Sequence, residues 1–288
     1  MQKTRLGQTA ENIPVVGFGG MPLSIEGRPS EKQGREVLHA AIDAGMTLID
    51  TADVYCLDDK DIGHNERLIA SVLDERADRD EVLVATKAGM RRPDGAWTND
   101  GSPAHLRSAC EQSLRSLRVE QIFLYQFHVP DPKVPFEKSV EAFAELHREG
   151  KFRWFGLSNV SITQIERANQ ILPVVSVQNR LNPYFRESLD VAAECARLGI
   201  TFLAYSPVGG GRLAKKLPRF DVLNRIAAAH GSSVHAVVLA WVRSRGSTVV
   251  PIPGARTVEH AVDSARSAEL NLDATEQAAI DKMELDRS

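Results

Sequence analysis

Four side chains able to share or move a proton follow closely behind apolar runs in this chain. Asp50 and Tyr55 lie in TLIDTADVYC (47–56), Lys87 in VATKAG and His128 in FLYQFHVPDP. Their spacing does not suit a metal: one histidine and two acids could hold a cation, but a nearby lysine disfavours it. No serine occupies the strained elbow of a hydrolase triad. A phenol beside an ammonium is more informative. Free tyrosine, with a pKa of ~10, is a poor acid at neutral pH. A lysine cation ~4 Å away, at an effective dielectric of ~20, attracts a phenolate by ~4 kcal/mol before desolvation, which is expected to lower the phenol's pKa. Asp50 would keep that lysine charged and aimed. Such a group protonates an oxygen that turns negative as a carbonyl is reduced. Taken singly, Asp50 reads equally as a turn residue and His128 as a rim histidine, whereas Lys87 at a strand end is harder to dismiss, because lysine is seldom buried unpaired.

The elements that must position these groups alternate along the chain. Short, nearly all-apolar runs at 15–18, 47–49, 82–86, 122–127, 152–157, 174–177, 201–205 and 248–252 read as strands buried on both faces. Amphipathic stretches fill the gaps. Ser30 to Gln33 and Ser161 to Gln164 form capping boxes, and Ser102-Pro103 opens another helix with proline at its first position. Two helices, at 221–230 and 273–284, fall outside the alternation. A doubly wound dinucleotide fold should show G-x-G-x-x-G after its first strand, but Pro22 stands at the third glycine of the run Gly17-Phe18-Gly19-Gly20-Met21-Pro22. Eight similar βα units favour a (β/α)8 TIM barrel, here one domain over residues 1–288. Chemistry in that fold sits at the carboxyl ends of the strands. The residues there are Asp50, Lys87, His128, Ser158-Asn159, Gln178-Asn179 and Tyr205-Ser206. Lys, His and Gln are not turn formers, so their recurrence at one end implies a shared pocket.

Composition narrows the classes further. With 43% hydrophobic residues and a formal net charge of −3, the chain has no basic stripe for nucleic acid. No apolar stretch reaches the ~18 residues that span a bilayer. The polar start MQKTRLGQTAENIP lacks a signal-peptide core, and the separated Cys56, Cys110 and Cys195 suggest neither zinc knuckle nor disulfide framework, so a cytoplasmic protein without metal is expected.

The segments AGMTLIDTADVY, GHNERLI, VATKAG, FLYQFHVPDP, GKFRWFGLSNV, VVSVQNRLNP, FLAYSPVGGG and VVPIPGARTVEHA occur together and in order. In this the chain resembles the aldo-keto reductases. The resemblance implies a catalytic tetrad of Asp50, Tyr55, Lys87 and His128, with Tyr55 the general acid in reduction and the base in oxidation. Lys87, paired to Asp50, would tune it, and His128 would orient the carbonyl. Hydride would come from a nicotinamide cofactor. Ser158, Asn159 and Gln178 would hold its carboxamide, Tyr205 would stack on its ring, and Ser206, Val208 and Gly210 would lie against its pyrophosphate. After the eighth strand the chain departs from the family. Gly254-Ala255-Arg256-Thr257 replaces the usual Lys or Arg with Ser or Thr, His260 stands where an arginine often does, and Asp263-Ser264 replaces Glu-Asn. Arg256 is the expected contact for an adenosine 2′-phosphate, which favours NADPH, with NADH the alternative. The long carboxyl-terminal loop of many members is expected to be missing, and residues 1–16 are expected to include a small hairpin under the barrel. Met21, Val54, Trp97 and Tyr184 are the candidate pocket for a small carbonyl substrate. The rival readings are a cofactor-binding regulatory module with little turnover, and a sugar or polyol dehydrogenase working in the oxidative direction. No surface stripe announces an oligomer interface.

Overall fold

The computed structural model describes residues 1–287. Phe18–Gly19, Leu48–Asp50, Leu83–Ala88, Ile122–Phe127, Phe152–Ser158, Val174–Arg180, Thr201–Tyr205 and Val249–Pro251 form one sheet in which each strand pairs in parallel with the next in the chain. The sheet closes on itself. The Gly17 N–H donates to the Pro251 carbonyl at 3.0 Å and the Gly19 N–H to the Pro253 carbonyl at 2.9 Å, joining first strand to last. This is the expected (β/α)8 barrel, with helices outside it from Glu31–Asp43 to Val258–Arg266.

Two apolar layers hold the barrel together. Leu48, Ala85, Leu124, Val175, Leu203 and Val250, one from each of six strands, fill the interior. The alternate residues, such as Tyr125, Phe202 and Val249, face outward against the helices with Phe143 and Trp241. That double burial explains why the strands carry no polar alternation. The amino-terminal mouth is plugged by the expected hairpin, Lys3–Arg5 against Asn12–Pro14. Its Leu6 and Ile13 are fully buried in the interior cluster, and the Gly7 N–H bonds Thr201 Oγ1 at 2.8 Å at the start of the seventh strand. The polar strand ends therefore gather at the opposite mouth.

The extra helices are Asp221–Ala229 and Ala274–Asp281, as expected, and a short helix, Gly210–Ala214, precedes them. Local signals held unevenly. Ser161 and Gln164 form the full reciprocal box. Ser30 caps its helix through the Gln33 N–H, but the Gln33 side chain instead reaches across to the Arg256 carbonyl at 2.7 Å, so only half of that box exists. A two-residue antiparallel ladder, Met90–Arg91 with Thr98–Asn99, stiffens the loop after the third strand. Strands that short leave no periodicity to read in the sequence.

The seam between first and last strands leaves no room for a side chain at Gly19, where a Cβ would lie 2.8 Å from the Ile252 carbonyl oxygen. Gly19→Ala is expected to cost about 2 kcal/mol or more, read as a thermal midpoint lowered by several degrees in calorimetry. An unchanged midpoint would mean that the seam is not close-packed.

Candidate active site

The carboxyl ends of the second, third and fourth strands deliver Asp50, Lys87 and His128 to one spot. Lys87 Nζ, fully buried, donates to Asp50 Oδ1 at 2.6 Å, to the Thr51 carbonyl at 2.8 Å and to the Tyr55 hydroxyl at 2.9 Å. Its three donors are thus all used. Asp50 is held in turn by two amides: Gln178 Nε2 at 2.7 Å and Gln126 Nε2 at 3.1 Å, both to Oδ2. Tyr55 returns over the lysine because residues 51–55 turn tightly, with the Thr51 N–H on the Ala85 carbonyl and the Tyr55 N–H on the Ala52 carbonyl. His128 completes the group, its ring meeting the Tyr55 ring edge-on at 5.8 Å between centroids. The structure therefore brings all four sequence candidates together.

Burial decides their charges. Taking Lys87 out of water favours the neutral amine, yet Asp50 and the Tyr55 oxygen outweigh that and raise its pKa above the ordinary value. The buried pair is thus an ammonium and its counterion. His128 is held well below its usual pKa, first by burial and then by the Lys87 charge, so the imidazole is neutral. Tyr55 corrects an expectation. Lys87 does pull the phenol down, but desolvation pushes it up by more, and its pKa is raised. Sequence shows the neighbour and not the dryness of the site.

The remaining strand ends line the same rim. Tyr205 OH donates to Asn159 Oδ1 at 2.9 Å, and Asn159 Nδ2 bonds Ser158 Oγ at 3.1 Å and the His128 carbonyl at 3.0 Å. Asn159 (φ 57°) and Ser206 (φ 48°) take up left-handed backbone, which turns the chain sharply at each strand exit. Above the seventh strand, a Cβ on Gly210 or Gly211 would meet nothing within 4 Å, so the backbone there is open to close approach by a ligand, while Val208 packs inward. Clustered amides and hydroxyls, a half-buried phenol ring and bare glycine backbone suit a nicotinamide dinucleotide. Gly254 is packed within van der Waals reach of Gly19 and Pro22, and the Arg256 guanidinium donates to the Pro22 and Glu26 carbonyls at 3.2 and 2.9 Å.

A profile of the aldo/keto reductase family matches residues 15–285. The chain belongs to that family. Among solved structures, it is similar to the thermostable aldo-keto reductase Tm1743 in complex with the inhibitor epalrestat (29% identity, TM-score 0.83, covering 98% of this chain and 99% of that one). It is also similar to the glycerol dehydrogenase AKR11B4 from Gluconobacter oxydans (27%, 0.85, covering 99% and 98%). An aldo-keto reductase from Klebsiella pneumoniae, in complex with NADPH, matches over 100% of both chains at 26% identity and a TM-score of 0.81. As an aldo/keto reductase the chain is an NAD(P)H-dependent oxidoreductase.

The reductase site includes residues to which sequence reading assigned no role. Gln126 is the one polar residue inside IFLYQF, and that interruption was its signal. Asn65 and Glu66, quoted within GHNERLI, turn inward from the helix His64–Leu73 and not outward. Asn65, fully buried, receives the Thr51 hydroxyl at 2.6 Å and donates to the Gly20 carbonyl at 2.9 Å and Ser24 Oγ at 2.7 Å, which ties the first two strand exits together. Glu66 receives the Thr86 hydroxyl at 2.7 Å, one residue from Lys87. The candidate pocket residues divide. Met21 and Val54 pack beside Tyr55, and Trp97 stands exposed on the neighbouring loop. Tyr184 bonds the Leu213 carbonyl at 3.2 Å and packs on Phe220 and Gly209, so it props the 206–214 segment. Among the described residues no group of three or more His, Cys, Asp or Glu could hold a metal, and no helix is long and apolar enough to cross a membrane.

Asp53 accepts the Val54 N–H at 2.8 Å and is buried. Desolvation and then Glu66 raise its pKa well above the ordinary value. Below about pH 4 the carboxyl is protonated in both folded and unfolded chains. Above that the unfolded chain releases a proton that the folded one retains, so stability falls as pH rises towards the folded value. Asp53→Asn keeps the acceptor and removes the titration. Its melting temperature is expected to match the wild type at pH 4 and to exceed it increasingly towards pH 8; a constant difference across that range would contradict the assignment.

Proposed function

We propose that this aldo/keto reductase reduces the carbonyl of an aldehyde, ketone or open-chain sugar with NADPH, Tyr55 acting as general acid. The observation that carries the reading is the buried Lys87 ammonium, bonded at once to Asp50 and to the Tyr55 hydroxyl. The bound cofactor supplies hydride to the carbonyl carbon. What this chain supplies is a proton and its placement. As negative charge develops on the carbonyl oxygen, the Tyr55 hydroxyl delivers its proton there, and Lys87, 2.9 Å away, stabilises the phenolate left behind. A phenol with a raised pKa keeps its proton until that demand arises. The neutral His128, edge-on to Tyr55, has the geometry to orient the carbonyl without competing as an acid. Asp50 keeps the lysine charged through the cycle, and its two amide partners keep Asp50 from turning away.

Ser158, Asn159 and Gln178 would hold the nicotinamide carboxamide, Tyr205 its ring, and the Ser206, Val208 and Gly210 segment the pyrophosphate, with the exposed Gly254 and Arg256 after the eighth strand as the remaining contacts. The structural likeness to the NADPH-bound Klebsiella protein supports NADPH over NADH. So does Arg256, which is exposed and, among the described residues, bonded through its guanidinium only to carbonyl oxygens, so its charge is free for a 2′-phosphate. The likeness to a glycerol dehydrogenase favours polyol oxidation as a second reading, with Tyr55 then the base on the same geometry.

In single-turnover and steady-state assays, Tyr55→Phe should lower kcat by about 10² to 10⁴ while NADPH affinity, from tryptophan quenching, stays within a factor of about two. Near-wild-type turnover in that variant would end the general-acid role. Arg256→Ala should weaken NADPH binding at least tenfold and leave NADH binding unchanged, and equal losses for both cofactors would remove the phosphate contact.

A further inference from the structure

The loop after the third strand holds a cation that the reading above does not use. Arg92 is 6% exposed, and only its Nη2 is bonded, to the Leu57 carbonyl at 2.8 Å. Nε and Nη1 are buried without a partner. Among the described residues it forms no ion pair. Of the nearby acids, Asp61 is committed to Arg28 at 2.6 Å and to the Leu57 N–H at 3.3 Å, and Asp58 Oδ1 to the Lys60 N–H at 3.0 Å. A buried guanidinium with unmet donors is costly, and an anion is the group that satisfies it.

Its surroundings indicate what that anion is attached to. The Trp97 ring lies over the guanidinium at 3.9 Å, and Leu57 supplies the carbonyl beneath. Among the described residues only Met1, Leu57 and Trp97 are large apolar side chains left exposed, and two of these three flank Arg92. The short ladder Met90–Arg91 with Thr98–Asn99 ends at this spot, and Met90 packs against the cluster of Ala52, Val54 and Tyr55. Leu57, two residues after Tyr55, thus brings exposed apolar surface and an unsatisfied cation close to the proton donor.

We propose that Arg92 is the anion-recognising residue of the substrate site, and that this reductase favours apolar carbonyl compounds bearing a carboxylate. The carbonyl would sit at Tyr55 and His128, the apolar body against Leu57 and Trp97, and the carboxylate on an unpartnered N–H of Arg92. This rests on the reductase reading and adds the substrate class to it. A carboxylate meets the guanidinium through a charge-assisted hydrogen bond, which an ester of the same size cannot match.

The test compares 4-carboxybenzaldehyde with methyl 4-formylbenzoate, in the wild type and in Arg92→Met. The readout is the ratio of their kcat/KM values, in which any loss common to both substrates cancels. The wild-type ratio is expected to be at least ten in favour of the carboxylate and to fall to about one in the variant. A wild-type ratio of one or less, or a ratio unchanged in Arg92→Met, overturns the proposal. Should that variant fail to fold, raising the ionic strength on the wild type gives the same decision: the carboxylate's kcat/KM must fall and the ester's must not. If neither aldehyde turns over, the reductase reading fails, and the anion site is judged separately. Benzoate must then perturb the tryptophan fluorescence of the wild type and not that of Trp97→Phe, and no perturbation overturns the site.

Discussion

A single buried ion pair organises this molecule's active end. Lys87 and Asp50 lie 2.6 Å apart, almost without solvent, where either charge alone would be too costly to keep. The pair persists because every remaining valence is met: Thr51 and Tyr55 take the other lysine donors, and Gln126 and Gln178 the second carboxylate oxygen. These partners come from the second, third, fourth and sixth strands and from the turn after the second. The barrel must therefore close in register for the charges to survive in its mouth, and four strands share the cost of holding them. Such a pair contributes little net stability, so its value lies in a fixed positive charge beneath a phenol.

The barrel supplies that register from both ends. The amino-terminal hairpin plugs one mouth with Leu6 and Ile13 and leaves the other for polar groups. Gly17 and Gly19 bring the start of the barrel close enough to bond the last strand and the segment that follows it. Asn65 then ties the exits of the first and second strands to the helix His64–Leu73, so that helix helps to assemble the site as well as covering the outside. Glu66 works likewise on Thr86, the residue before Lys87.

Much of this was legible in the amino-acid order, for a physical reason. Strands buried on both faces are uniformly apolar, so a Lys, His or Gln at the end of one stands out against its run. The same logic could have found Gln126, whose polarity interrupts a strand interior. Other features left weaker traces. Asn65 and Glu66 lie on a helix, where sequence does not say which face turns inward. Gln33 had two partners within reach, and its choice of the Arg256 carbonyl over its own helix depends on a contact across the barrel seam. Arg92 sits in a loop ordered by two-residue strands, beyond the reach of periodicity. The sign of the Tyr55 shift depended on dehydration, which is a property of the closed barrel and not of any neighbour in the chain.

Lys87, kept charged by Asp50, opposes the effect of burial on Tyr55, and titrating the Tyr55 hydroxyl with ¹³C-labelled tyrosine and NMR, in the wild type and in Lys87→Met, isolates its contribution. The chain has four tyrosines, few enough to assign by substitution. The Tyr55 pKa is expected to lie above that of free tyrosine in the wild type, and higher still when the ammonium is removed. A value that does not move, or that falls, in Lys87→Met would contradict it.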